Sequence, residues 1–185
     1  MAAKRRCLIP RVCGQVKKTL INLALFQSGW LVCVLGGDIY AILFTLPALL
    51  LHQWLVLDNR REWRLIGVIV SGGCLWDIAM AQFGVIRFAD AMLVGIPLWL
   101  VCLWLLFATT FMHSLLWLRR YLWLAIPLAA VFGPASYWFG ANLTDSELRL
   151  PVIESLAIMA AGWALLFPCG IYYAAKFKPV IAETR

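Results

Sequence analysis

MLVGIPLWLVCLWLLFATTFMHSLLWLRR, residues 92–120, carries no Asp, Glu, Lys or Arg until Arg119 and Arg120 close it. A helix rising about 1.5 Å per residue needs about 20 mostly apolar residues to cross the roughly 30 Å hydrocarbon core of a bilayer, and residues 92–114 meet that need. Hydrocarbon offers no partner to an open backbone N–H or C=O, and the stretch lacks the strict alternation of a barrel strand. The expected conformation is therefore a transmembrane helix.

Working outward, comparable apolar segments run over residues 19–36, 39–57, 65–85, 121–140 and 152–175. They predict an all-α integral membrane bundle of six transmembrane helices over residues 19–175, with a basic leader at 1–18 and a short tail at 176–185. Composition agrees. Of the 185 residues 64% are hydrophobic and 14% charged, with a mean hydropathy of +0.87, whereas soluble domains are about 45–50% apolar. The longest outer loop, Ala141 to Pro151, is too short to hold a soluble domain.

Lys and Arg set the orientation, because cytoplasmic loops retain them. The leader holds Lys4, Arg5, Arg6, Arg11, Lys17 and Lys18; the gap after the second segment holds Arg60 and Arg61, with Arg64 beside it; Arg119 and Arg120 follow the fourth segment; Lys176, Lys178 and Arg185 follow the sixth. Only Arg87 and Arg149 fall on the other side. Six spans with both termini in the cytoplasm satisfy this pattern. The net charge of +7 then reflects topology and attraction to anionic headgroups, and no nucleic-acid partner is expected.

Pro10 is expected to separate the leader from the first span. With no A-x-A site ahead of Gly36-Gly37-Asp38, the leader reads as retained. The six cysteines, Cys7, Cys13, Cys33, Cys74, Cys102 and Cys169, form no C-x-x-C pair and read as packing residues without a disulfide framework. Trp54, Trp63, Trp117 and Trp123 fall at inner boundaries as anchors. Trp30, Trp76, Trp99, Trp104 and Trp163 lie deeper, where they pack helices or surround a ligand. Pro47, Pro127, Pro134 and Pro168 fall within spans and permit a cavity.

A charge at membrane depth costs about 2.5–3.5 kcal/mol even on insertion scales, so intramembrane ionisable residues mark candidate sites. Asp77 is the deep carboxylate. Helical spacing puts Gly73, Asp77, Ala81 and Gly84 on one stripe, which lets another helix approach while Asp77 finds a donor there. Asp77 reads either as a hydrogen-bonded staple or as a proton carrier, ligand anchor or base. Thr109, Thr110 and His113 form a polar cluster at the inner end of the fourth span, with Thr109 and His113 at helical i, i+4 spacing. His113 with Arg119 and Arg120 offers donors and charge to a phospholipid headgroup, the alternative being an ordinary polar boundary. His52 lies in the same half of the membrane and can meet His113. Two histidines without a third donor make a poor zinc site, so no metal and no cofactor is expected. No G-x-S-x-G, H-E-x-x-H, G-x-G-x-x-G or P-loop pattern is present.

Together, Ala24-Leu25-Phe26-Gln27-Ser28-Gly29-Trp30, Asp77 through Phe88, Pro97-Leu98-Trp99 through Ser114 and Gly133-Pro134-Ala135-Ser136-Tyr137-Trp138 resemble the bacterial multi-pass membrane family known as domain of unknown function 2878. The resemblance covers about residues 20–175 and implies the fold. Members of that family are encoded beside cyclopropane-fatty-acid-synthase-like methyltransferases and flavin-dependent oxidoreductases, which implies a setting in membrane lipid modification or envelope stress. The functional expectation is an accessory or scaffold protein of lipid or envelope metabolism, with membrane lipids and a lipid-modifying enzyme as partners. The alternatives are a lipid-modifying enzyme using His113 and Thr109 or Thr110, and a small-solute transporter built around Asp77.

Overall fold

The computed structural model describes residues 8–92 and 94–177, with side chains from Gly14 onward. Lys4, Arg5, Arg6, Cys7, Lys178 and Arg185 lie outside the described residues, as do the side chains of Arg11 and Cys13. The described chain is almost wholly helical: α1 Leu8–Leu51, a π-turn at His52–Val56, α2 Glu62–Gln82, α3 Leu98–Ala108, 3-10 turns at Thr109–Met112 and Leu116–Arg120, α4 Leu122–Leu143 and α5 Val152–Ala175. Four helical stretches are long and apolar enough to cross a membrane: Gly14–Val56, Glu62–Gln82, Leu122–Leu143 and Val152–Ala175. Their outward faces carry bare apolar side chains such as Ile39, Leu43, Phe132, Ile153 and Leu165, a surface suited to hydrocarbon and not to water.

α1 is a hairpin. Gly37 breaks it with φ 67° and ψ −167°, a backbone region essentially reserved for glycine. An unbroken helix would place Lys18 and Asp58 about 60 Å apart; instead the Lys18 ammonium pairs with the Asp58 carboxylate. Gly29 likewise lies against the Phe44 ring, so closely that a Cβ there would sit 2.9 Å from it. The segments expected at 19–36 and 39–57 are thus the two arms of α1, folded together at Gly37. Pro10 does not interrupt the first arm. It lies in the first turn, where the missing N–H has no intrahelical acceptor to lose.

The fourth expected span is shorter than its apolar run. Val94 and Gly95 form a turn at positive φ, and α3 starts only after Pro97, whose extended backbone caps it. The ring of Pro97 disfavours helix at Ile96, which hydropathy alone does not register. The Asp38 carboxylate, next to the hairpin turn, accepts a 2.7 Å hydrogen bond from the Trp99 N–H, which satisfies a free donor and favours the helix start electrostatically. On the same side, the two loops expected to be plain connections pair as short antiparallel strands, β1 Ile86–Arg87 and β2 Glu147–Leu148, with Arg87 Nη2 3.1 Å from Glu147 Oε2.

α1 packs on α3, α4 on α5, and α2 against α3 and α5, whereas α1 and α4 make little contact. Three tryptophans lock the helices by lying over glycines. A Cβ on Gly73 would fall 2.2 Å from the Trp104 ring, on Gly133 2.4 Å from Trp163 and on Gly162 2.0 Å from Trp76. The small-residue face expected around Gly73 therefore exists to admit an indole. Cys33, Cys74, Cys102 and Cys169 are free thiols.

Candidate functional site

Asp77 is fully buried in the last third of α2, facing its neighbours and not lipid. Trp104 Nε1 of α3 donates to Oδ2 at 2.6 Å, and Tyr137 of α4 donates its hydroxyl to Oδ1 at 2.5 Å. Each carboxylate oxygen therefore takes a donor from a different helix. The glycine stripe brings Trp104 within reach: without a side chain at Gly73, the indole lies flat against α2 one turn before Asp77 and also stacks on Trp163, with 5.5 Å between centroids and 13° between planes. This geometry supports the staple reading, since three helices are tied through one acceptor in a low-dielectric interior.

A second polar cluster lies toward the other end of the bundle. His52 opens the π-turn that ends α1, Glu62 opens α2 and His113 follows the 3-10 turn after α3. All three are buried, with 2%, 2% and 4% of their surface exposed. His52 Nε2 is 3.1 Å from Glu62 Oε1; His113 Nε2 is 2.9 Å from the same oxygen and 3.2 Å from Oε2. The imidazoles meet edge to face, 5.3 Å apart. Beside them Gln53 Oε1 accepts a 2.8 Å hydrogen bond from Trp63 Nε1, pinning the π-turn to the start of α2.

The two histidines thus meet as the sequence permits, and the third donor that seemed lacking is Glu62. Its place in a charged loop, before the apolar run of α2, gave it the look of an ordinary solvated residue. The reversal over residues 57–61 turns it inward. The other missed residue is Asn22, fully buried in α1. Its Nδ2 donates to Thr109 Oγ1 at 2.9 Å, and its Oδ1 accepts from Ser114 Oγ at 2.8 Å. An asparagine inside Leu20-Ile21-Asn22-Leu23 was the available signal.

Thr109 and His113 do not share a face, because α3 gives way to a 3-10 turn between them. The Thr109 and Thr110 hydroxyls donate back to the carbonyls of Leu106 and Phe107 at 2.7 and 2.6 Å, a habit of threonine at helix ends. His113 is buried and turned to Glu62. Arg119 is half-buried and Arg120 exposed.

Between α1 and α4 runs a cavity of about 590 Å³, within the roughly 300–1,000 Å³ of ligand pockets. Its walls are apolar and rich in aromatic rings, among them Phe26 and Trp30 from α1, Trp99 and Phe107 from α3, Tyr137 from α4 and Trp163 from α5. It extends from Phe88 and Ser146 near the paired strands to Trp117 and Leu118 near the opposite end. Trp104 and Tyr137 line it while holding Asp77, so the staple fixes one wall. Of the deep tryptophans, Trp30, Trp99, Trp104 and Trp163 line the cavity, while Trp76 packs over Gly162.

A family model described as "Protein of unknown function (DUF2878)" matches residues 19–169. No curated protein and no solved structure matches the chain.

Proposed function

We propose, given that the chain belongs to the DUF2878 family, that it is a lipid-binding accessory protein of the bacterial inner membrane, acting in membrane lipid or envelope metabolism. The observation that carries this reading is the groove between α1 and α4. Its walls are apolar and aromatic, the protein leaves it unfilled, and it runs between helices whose outer faces suit hydrocarbon. The compound abundant in that surrounding is a membrane lipid, and an acyl or prenyl chain fits a long apolar slot. Gln27 on the lining suits a polar atom of the same ligand.

Binding and presentation fit better than catalysis, because the polar groups beside the groove are engaged with one another. Each oxygen of Asp77 accepts a hydrogen bond, from Trp104 and from Tyr137, and the Ser136 hydroxyl donates to the Gly133 carbonyl at 2.6 Å. Lipid co-purifying with the protein, measured by native mass spectrometry, tests the reading. An added Cβ at Gly140, which lines the groove, meets nothing within 4 Å, so Gly140→Trp is expected to fill space and cut lipid retention severalfold at unchanged folding. Equal retention by the variant and the wild type would count against a lipid in the groove.

The same reading has six crossings with both termini in the cytoplasm. The hairpin at Gly37 supports counting α1 twice, the apolar helix Leu98–Met112 supports a short further crossing, and the Lys and Arg distribution supports the orientation. Reporter fusions after residues 60, 120 and 177 are expected to report the cytoplasm, and fusions after residues 90 and 145 the opposite side. A C-terminal reporter active outside would overturn this topology.

A further inference from the structure

We propose that His52, Glu62 and His113 form a binding site for a divalent transition cation of the zinc class. Three donors of suitable type converge from three separate segments, and their ligating atoms all lie within 4.8 Å of one another. In a tetrahedral zinc site, with metal–ligand bonds of about 2.0–2.1 Å, neighbouring ligand atoms are roughly 3.3 Å apart. The contacts from the two Nε2 atoms to Glu62 Oε1, 3.1 and 2.9 Å, are close to that edge, so along these two edges a cation needs only a few tenths of an ångström of expansion.

Charge and burial suit a cation at this point. Glu62 is buried with the two imidazoles as its hydrogen-bonding partners, and a buried carboxylate needs a compensating positive charge. A divalent ion balances the carboxylate while both rings stay neutral, and each ring already aims its Nε2 at one common point. Two imidazoles and one carboxylate match the ligand set of zinc sites that keep a fourth position for water or another oxygen ligand.

The surroundings are built to hold this point. Asn22 fixes the turn carrying His113 through Thr109 and Ser114, Trp63 packs edge-on against His52, and the π-turn belongs to a class of helix irregularity that recurs at functional sites. A bound ion would tie the second arm of α1 to α2 and to the end of α3. The groove lies elsewhere, so metal binding and lipid binding are separable.

The test uses the full chain in detergent micelles, stripped with a chelator and titrated with cobalt(II) and then zinc(II). One cobalt per chain is expected, with the intense visible bands of a four-coordinate site, bleached by one equivalent of zinc. Glu62→Gln should weaken binding by at least the roughly 10–100-fold that loss of an outer-shell partner costs. His113→Cys keeps a ligand in place and should add a thiolate-to-cobalt charge-transfer band in the near ultraviolet. That band identifies the ligand directly even if Glu62→Gln does not fold. A wild-type protein that leaves cobalt in its hexa-aqua spectrum, or a folded His113→Cys protein that binds cobalt without the new band, would overturn the proposal.

Discussion

Asp77→Ala is expected to lower the stability of the folded bundle by about 2–4 kcal/mol, among the largest losses for a single side chain here. The alanine leaves the Trp104 N–H and the Tyr137 hydroxyl without their acceptor in a buried site. Each orphaned donor costs about 1–3 kcal/mol; the chain unfolded within a membrane finds some other partners, which favours the lower half of the summed range. Asp77→Asn should lose far less. Its amide oxygen still accepts from the indole, and its NH2 donates to the Tyr137 oxygen, because a hydroxyl can reverse its role. Unfolding by SDS titration in mixed micelles measures both. If Asn is as damaging as Ala, the charge of Asp77 and not its hydrogen bonding would be what the protein needs.

Gly73→Leu is expected to be comparably damaging, by about 3 kcal/mol, for a steric reason that arrives at the same place. The new Cβ would lie 2.2 Å from the Trp104 ring, so the indole must move. Overpacking of this kind costs about 1–3 kcal/mol, and displacing Trp104 also takes its N–H from Asp77, at about 1 kcal/mol or more. The two substitutions act through one indole, so Gly73→Leu with Asp77→Ala should be clearly less destabilising than the sum of the single changes. Full additivity would mean that the glycine does not serve to seat Trp104.

How far the sequence carried the reading depends on which physical signal each residue emits. Runs of apolar residues are long-range and redundant, so α2, α4 and α5 fall within a few residues of their hydropathy limits. The inward direction of Asp77 follows from the cost of a charge in hydrocarbon. Where a single residue decides the backbone, hydropathy misleads: Pro97 cuts short an apolar run that looks like a full span, and Gly37 folds two segments into one interrupted helix. The His52–Glu62–His113 cluster was half legible. Two histidines in one half of the membrane announce themselves, while Glu62 sits among Asp58, Arg60, Arg61 and Arg64, and only the tight reversal after the π-turn distinguishes it from them. The deep tryptophans and the prolines within spans allowed a cavity, but its place was not legible, because a cavity is an absence of packing between α1 and α4, which no local pattern records.

The measurement that bears most directly on this account is an experimental density map of the protein in lipid nanodiscs made from its native lipids. The account predicts elongated, chain-shaped density along the groove between Trp30 of α1 and Tyr137 of α4, stronger than that of the lipid shell around the bundle. A map in which annular lipids are resolved while α1 and α4 close upon each other, or in which the groove holds only water, would contradict it.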